Sequence, residues 1–402
     1  MSPHVAKAVW GTEKLLKEKN INWGDAQKYT LSEKAHLLGQ GYIEGNKSYE
    51  ENKEEIDGLN KKLYVKDPSV KDVYERTRKW SLDYYSSFYS RFYTHFDKLY
   101  FESEMADPGK KIVLENVGKV FEESDGAIVF AGEKYGLHTR VFVTKDGNPT
   151  YEGKDMALAP AQFNDFPFDK CVHVVANEQT GYFQVIIKAL ELINPNLEGR
   201  EYHLPMGMVQ LVGQKISSRT GVLVTVDGLL DDVKALLKEL TKDENSLEPT
   251  TIAAVKYSVL KTSPIMNSTF DLEKSVSLDG DSGPYIQYSY ARARSVLRRA
   301  NFQFEISNFN SNFKIQTSNL QTEEIAVLRF VYRFPEVVEA AARTYSPNLV
   351  CTYLFELAKR FNNFYNSCPI LDNEFRLALT QATSIVLKNG LNLLGIESLE
   401  RM

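Results

Sequence analysis

The chain has 402 residues, 43% of them hydrophobic and 25% charged, with a formal net charge of −5. That length is too great for one ordinary core and predicts two or three domains. The balance excludes a disordered, collagenous or membrane-embedded chain, and the mild acidity argues against indiscriminate nucleic-acid binding while leaving room for one RNA read through local basic patches. No apolar run approaches the ~20 residues of a membrane span, and Met1-Ser-Pro-His-Val-Ala-Lys7 has none of the regions of a signal peptide, so a cytoplasmic location is expected. The three cysteines, Cys171, Cys351 and Cys368, are too few and too scattered for a disulfide framework or a zinc knuckle.

In chain order, residues 26–110 are polar and helix-like, with Leu31–Leu38 and the acidic run Tyr49–Ile56 as examples. Within them Trp80, Tyr84, Tyr85, Phe88, Tyr89, Phe92, Tyr93 and Phe96 recur at helical spacing. Such a stripe suits either base stacking or burial of one helix face, and burial is the favoured reading. Gly39-Gln-Gly-Tyr-Ile-Glu-Gly45 mimics a dinucleotide fingerprint, but its glycine spacing is wrong and no strand precedes it. From Lys111 the texture changes. Ile112–Leu114, Ala127–Phe130, Thr139–Val143 and Val172–Ala176 read as strands, and Asp155–Phe163 and Thr180–Ile193 as helices between them. That alternation predicts a parallel sheet with functional groups at the carboxyl ends of its strands. Cys171 and His173 share a strand face, but no matching Cys/His pair follows, so no metal site is expected. Beyond residue 225 the chain reads as helical, with Phe334–Ala342 and Ala358–Tyr365 well punctuated and a basic cluster at Arg292, Arg294, Arg298 and Arg299.

Lys215-Ile-Ser-Ser-Arg-Thr-Gly221 is a basic, hydroxyl-rich loop ending in glycine. Its cations, hydroxyls and backbone N–H groups suit a triphosphate. Ser217 and Ser218 do not sit in Gly-x-Ser-x-Gly, so a phosphate-loop role fits them better than nucleophilic hydrolysis. Downstream comes Gly283-Pro-Tyr-Ile-Gln-Tyr-Ser-Tyr-Ala-Arg292. In this order the two segments resemble the signature loop and the start of the anticodon-binding domain of arginyl-tRNA synthetases, class I aminoacyl-tRNA synthetases. The resemblance extends to Thr150-Tyr-Glu-Gly-Lys-Asp-Met-Ala-Leu-Ala159, Val174–Phe183, Val226–Asp232, Ile252–Tyr257, Phe270–Lys274 and the helical tail, and is weakest over residues 50–135.

The resemblance implies an α/β plus all-α architecture: the C-terminal part of a class I Rossmann-like catalytic domain over 1–245 with a helical insertion at 26–110, a connecting helical segment at 246–285, and a helical-bundle anticodon-binding domain at 286–402. It implies that Tyr151, Asp155 and Gln179 bind arginine, with Asp155 facing the guanidinium, for which a carboxylate is the natural partner. Lys215, Ile216, Ser217, Ser218 and Arg219 would hold ATP, accompanied by Mg2+, and Lys215, Ser217, Ser218 and Arg219 would stabilise charge developing on the pyrophosphate. Thr220 stands where the family often has lysine. Gln287, Tyr288, Arg292 and Arg294 would meet the tRNA for arginine. No tightly bound cofactor, membrane or DNA partner is expected. The family's His-x-Gly-His motif is nowhere in the 402 residues, and His4–Gly11 resembles the segment that follows it, so the expectation is an arginine-tRNA ligase truncated at its N-terminus. The rival readings are a noncatalytic tRNA-binding relative and one subunit of a split synthetase completed by an N-terminal chain.

Overall fold

The computed structural model describes residues 3–212, 225–240, 243–302 and 320–402. They form two compact units: one built from residues up to Cys171 and from Gly181–Glu201, the other from Val172–Thr180 and most of the chain after Tyr202.

The first unit begins with helices α1 (Pro3–Glu18), α2 (Trp23–Ala26), α3 (Leu31–Lys47), α4 (Lys53–Tyr64), α5 (Pro68–Arg91) and α6 (Glu102–Glu115). Thr30 opens α3 with a capping box, its hydroxyl accepting from the Glu33 N–H while Glu33 reaches back to the Thr30 N–H. The glycines of the false fingerprint have a packing role. A Cβ on Gly41 would lie 2.1 Å from the Thr12 hydroxyl, and one on Gly11 would lie 2.0 Å from the Gly41 carbonyl, so α1 and α3 cross backbone against backbone. The aromatic stripe divides. Trp80 is buried and donates to Gln27 at 3.0 Å, whereas α5 ends at Arg91 and Tyr85, Tyr93 and Phe96 stay exposed. Past Trp80 the rings pair with one another, Phe88 with Phe92 and Tyr89 with Phe96 at 4.6 and 4.7 Å between centroids.

Ile112–Leu114, expected as a strand, is the last turn of α6. The strands β1 (Glu122–Ser124), β2 (Ala127–Phe130) and β3 (Arg140–Val143) follow, then α7 (Tyr151–Asp165) and α8 (Thr180–Ile193). The β1–β2–β3 sheet is antiparallel throughout, contrary to the parallel expectation. Its cause is local: Asp125 and Gly126 both have positive φ and close a two-residue hairpin with Ser124 opposite Ala127, the geometry that Asp-Gly favours. Phe121, Phe130, Phe142, Met156, Val185, Ile186 and Leu190 form a single core joining sheet, α7 and α8.

In the second unit β4 (Cys171–Ala176) pairs with β5 (Glu201–Met206), and β6 (Val209–Leu211) pairs in parallel with β7 (Ser268–Phe270). Its helices are α9 (Val226–Leu240), α10 (Glu244–Leu260), α11 (Leu272–Ser275), α12 (Gly283–Arg299), α13 (Thr322–Tyr332), α14 (Phe334–Arg343), α15 (Pro347–Ser367) and α16 (Glu374–Leu393). The Gly-Pro pair that opens α12 is explained by two demands. Ser282 caps the helix by accepting from the Tyr285 N–H at 3.1 Å, with Pro284 in the first turn, where no N–H is needed. A Cβ on Gly283 would sit 2.3 Å from the Ala253 carbonyl of α10. Tyr257, Ile286, Leu354, Phe361, Phe364 and Leu387 centre the bundle core. No helix among the described residues is long and apolar enough to cross a membrane.

Candidate functional site

Two clusters of chemistry stand out, one in each unit. In the first, α7 starts where the Thr150 hydroxyl accepts from the Gly153 N–H, so Thr150 is the cap and Asp155 is free of that duty. Gly153 lets the helix descend onto β3 and α6: a Cβ there would lie 2.3 Å from the Phe142 carbonyl, and one on Gly109 of α6 would lie 2.2 Å from the Gly153 carbonyl. Tyr151 and Asp155 therefore share one face of a helix whose position is fixed by backbone contact.

Asp155 Oδ2 accepts from the Tyr182 hydroxyl at 2.6 Å. Burial pushes the Tyr182 phenol far above its ordinary value, and the Asp155 charge and hydrogen bond push it further, so it remains a donor. Arg140 lies with its guanidinium carbon 5.5 Å from the Tyr182 ring centre and pairs with Glu152 at 3.0 Å. Lys154, nearly buried, pairs with Glu102 and sits 5.0 Å over the Tyr151 ring. Arg140 and Lys154 thus have acidic partners of their own, and Tyr151, one helical turn before Asp155, is half-exposed. Such an arrangement suits a carboxylate that meets a cationic, donor-rich side chain. Gln179, an exposed residue, ends the single turn Asn177–Gln179 in the second unit. Lys215, Ile216, Ser217, Ser218 and Arg219 lie outside the described residues.

In the second unit, a cleft of about 540 Å³ is lined by Tyr288, Arg292, Arg298, Arg299, Tyr365, Arg401 and Met402 among others, with no acidic side chain among the described residues that line it. Arg292 is held in place from three sides. It donates to Asn362 Oδ1 at 2.7 Å and to the Tyr288 hydroxyl at 2.9 Å, and its guanidinium carbon is 4.7 and 4.9 Å from the Tyr288 and Tyr365 ring centres. Asn362 is itself fixed by donating to the Tyr285 and Ser289 hydroxyls. A rigid cation between two rings, with further arginines around it, is equipped for a phosphate or a stacked base.

Of the four RNA-facing residues expected from sequence, Gln287 and Arg294 do not line the cleft. Gln287 is fully buried and donates to the Glu397 carbonyl at 2.7 Å, so its amide is walled off from any external ligand. This corrects its expected place at the RNA surface: on α12 it falls on the face turned to the core. Arg294 pairs with Glu400 at 2.9 Å, and Arg298 and the Tyr290 hydroxyl meet the same carboxylate. Arg401, which sequence reasoning missed, joins the cleft through the docking of the C-terminal tail that Glu400 anchors. Its only sequence signal is an isolated basic residue at the chain end.

An α/β first unit followed by a helical bundle bearing a cationic cleft is the architecture of a class I synthetase with its anticodon-binding domain. Residues 10–272 match the class I tRNA synthetase (R) catalytic domain, and residues 286–402 match the DALR anticodon binding domain. Similar proteins include the arginine–tRNA ligase of Porphyromonas gingivalis, 30% identical over 99% of this chain and 72% of the relative, and that of Bacteroides thetaiotaomicron, 30% identical over 96% and 71%. In fold, the chain is similar to Thermus thermophilus arginyl-tRNA synthetase, with a TM-score of 0.80 at 23% identity over 99% of this chain and 74% of that one, and to the Plasmodium falciparum enzyme at 0.74 and 20%. The chain belongs to the class I arginyl-tRNA synthetase family.

Proposed function

We propose that the chain serves the arginine–tRNA ligase reaction, with Asp155 and Tyr151 meeting the arginine side chain. In that reaction arginine and ATP give arginyl-adenylate and pyrophosphate, and the arginyl group then passes to a ribose hydroxyl of the tRNA. The observation that supports the reading is the Asp155 carboxylate, which accepts from Tyr182 one helical turn beyond the half-exposed Tyr151. Lys215, Ser217, Ser218 and Arg219 supply the charge and directed donors for the ATP phosphates, whose accompanying Mg2+ shares the neutralisation. The tRNA is gripped through the cleft at Tyr288 and Arg292, and the reaction takes place in the cytoplasm. The test is titration of the protein with arginine and, separately, with ATP. Asp155→Asn lowers arginine affinity roughly tenfold or more, the scale of a charge-assisted contact, and leaves ATP affinity unchanged. Unchanged arginine affinity removes Asp155 from the pocket.

A further inference from the structure

Tyr182 stands in the first turn of α8 and joins it to α7 through one hydrogen bond, the 2.6 Å donation to Asp155 Oδ2. We infer that Tyr182 is a positioning residue that sets the preference for a cationic side chain, its hydroxyl locking the Asp155 carboxylate in one orientation. The inference rests on the reading of Asp155 as the arginine acceptor.

An aspartate carboxyl rotates in a broad, two-fold torsional well. A carboxylate that turns freely presents its oxygens to a planar guanidinium only part of the time, and fixing it in advance removes that ordering penalty from binding. Tyr182 is suited to the task because its own ring is fixed. It meets Phe183 edge to face at 5.4 Å, and Arg140 lies over it. Arg140 in turn is tied by Glu152, whose side chain is 13% exposed. The sequence Glu152, Arg140, Tyr182, Asp155 therefore runs from the first turn of α7 through β3 and α8 back to the second turn of α7, a closed circuit of side chains. The phenol takes one of the about four lone-pair positions at which a carboxylate accepts. A phenol donor also fixes the sign of the site. A carboxylate acceptor rewards a positively charged partner over a neutral one of the same shape.

The experiment compares arginine with citrulline, its neutral urea isostere, as ligands of the 402-residue protein by NMR titration, using wild type, Tyr182→Phe, Tyr182→His and Asp155→Asn. Far-UV circular dichroism and melting confirm folding, which the near-isosteric phenylalanine should leave intact. The expected result is a roughly tenfold loss of arginine affinity in Tyr182→Phe with citrulline affinity unchanged, and partial recovery of the preference in Tyr182→His, whose ring N–H restores a donor. Equal loss for both ligands, or no loss, in Tyr182→Phe overturns the positioning role when Asp155→Asn still abolishes the preference. A wild type without preference for arginine, or an Asp155→Asn protein that keeps it, overturns the underlying pocket and this inference with it.

Discussion

Replacing Arg292 separates an RNA contact from a structural one. Its guanidinium offers five N–H donors, two of which go to Asn362 and Tyr288, so donor capacity and a full charge remain for a phosphate or base edge in the cleft. Losing one charge-assisted contact costs about 1.5–3 kcal/mol, which corresponds to roughly 10- to 150-fold in affinity. Each phosphate contact also contributes about 0.7 to 0.9 to the slope of log K against log salt. Arg292→Ala is therefore expected to weaken tRNA binding by that factor and to flatten the salt slope by about one phosphate's share. Arg292→Lys restores the slope but recovers only part of the affinity, because a point charge lacks the planar fork that Asn362 and Tyr288 orient. Fluorescence anisotropy with labelled tRNA over a salt series reads both quantities. Unchanged affinity and slope in Arg292→Ala would refute the assignment, and lost affinity at an unchanged slope would reduce Arg292 to a packing role.

Other outcomes follow from the packing. Glu324→Gln breaks a pair with Arg376 at 2.7 Å whose side chains are 4% and 13% exposed, and an unpaired buried charge lowers stability by about 3–5 kcal/mol in denaturant unfolding. Gly283→Ala sets a Cβ against the Ala253 carbonyl and lowers stability by about 1–3 kcal/mol, seen as a drop in melting temperature. Burial raises the Cys351 thiol to about 12, so it resists thiol reagents at neutral pH until denaturant is added. The Glu400 carboxyl lies below its ordinary value of 4.5: burial opposes this, but hydrogen bonds from Tyr290 and Arg294 and the charges of Arg294 and Arg298 prevail. A depressed carboxyl contributes stability that is complete above the unfolded value and is lost as pH falls through the folded one. Glu400→Gln is accordingly expected to flatten the acid loss of melting temperature below about pH 4.5.

The helices that sequence read best were those with unbroken period and clear ends. Thr180–Ile193 emerges with both bounds as expected, and the signals at Phe334 and Ala358 fall within α14 and α15. The strand expected at Ile112–Leu114 failed because a short apolar run has no period of its own. The helix runs through Pro108 and Gly109, and Gly109 is needed where α6 crosses α7. The antiparallel hairpin had a legible signal in Asp125-Gly126 that strand-helix alternation obscured. At the candidate site, Tyr151 and Asp155 were proposed from their motif, whereas Tyr182 meets Asp155, and Arg140 the Tyr182 ring, through the tertiary packing of α8 and β3. Gln287 shows the converse limit: a motif residue whose helix face, set by packing, points to the core.

The most direct test of the account is equilibrium binding of the 402-residue protein to tRNA bearing an arginine anticodon and to unrelated tRNAs over a range of salt. The account predicts tighter binding of the arginine tRNA at every salt concentration, with an affinity that Arg292→Ala diminishes. Equal affinity for all tRNAs across the series would contradict it.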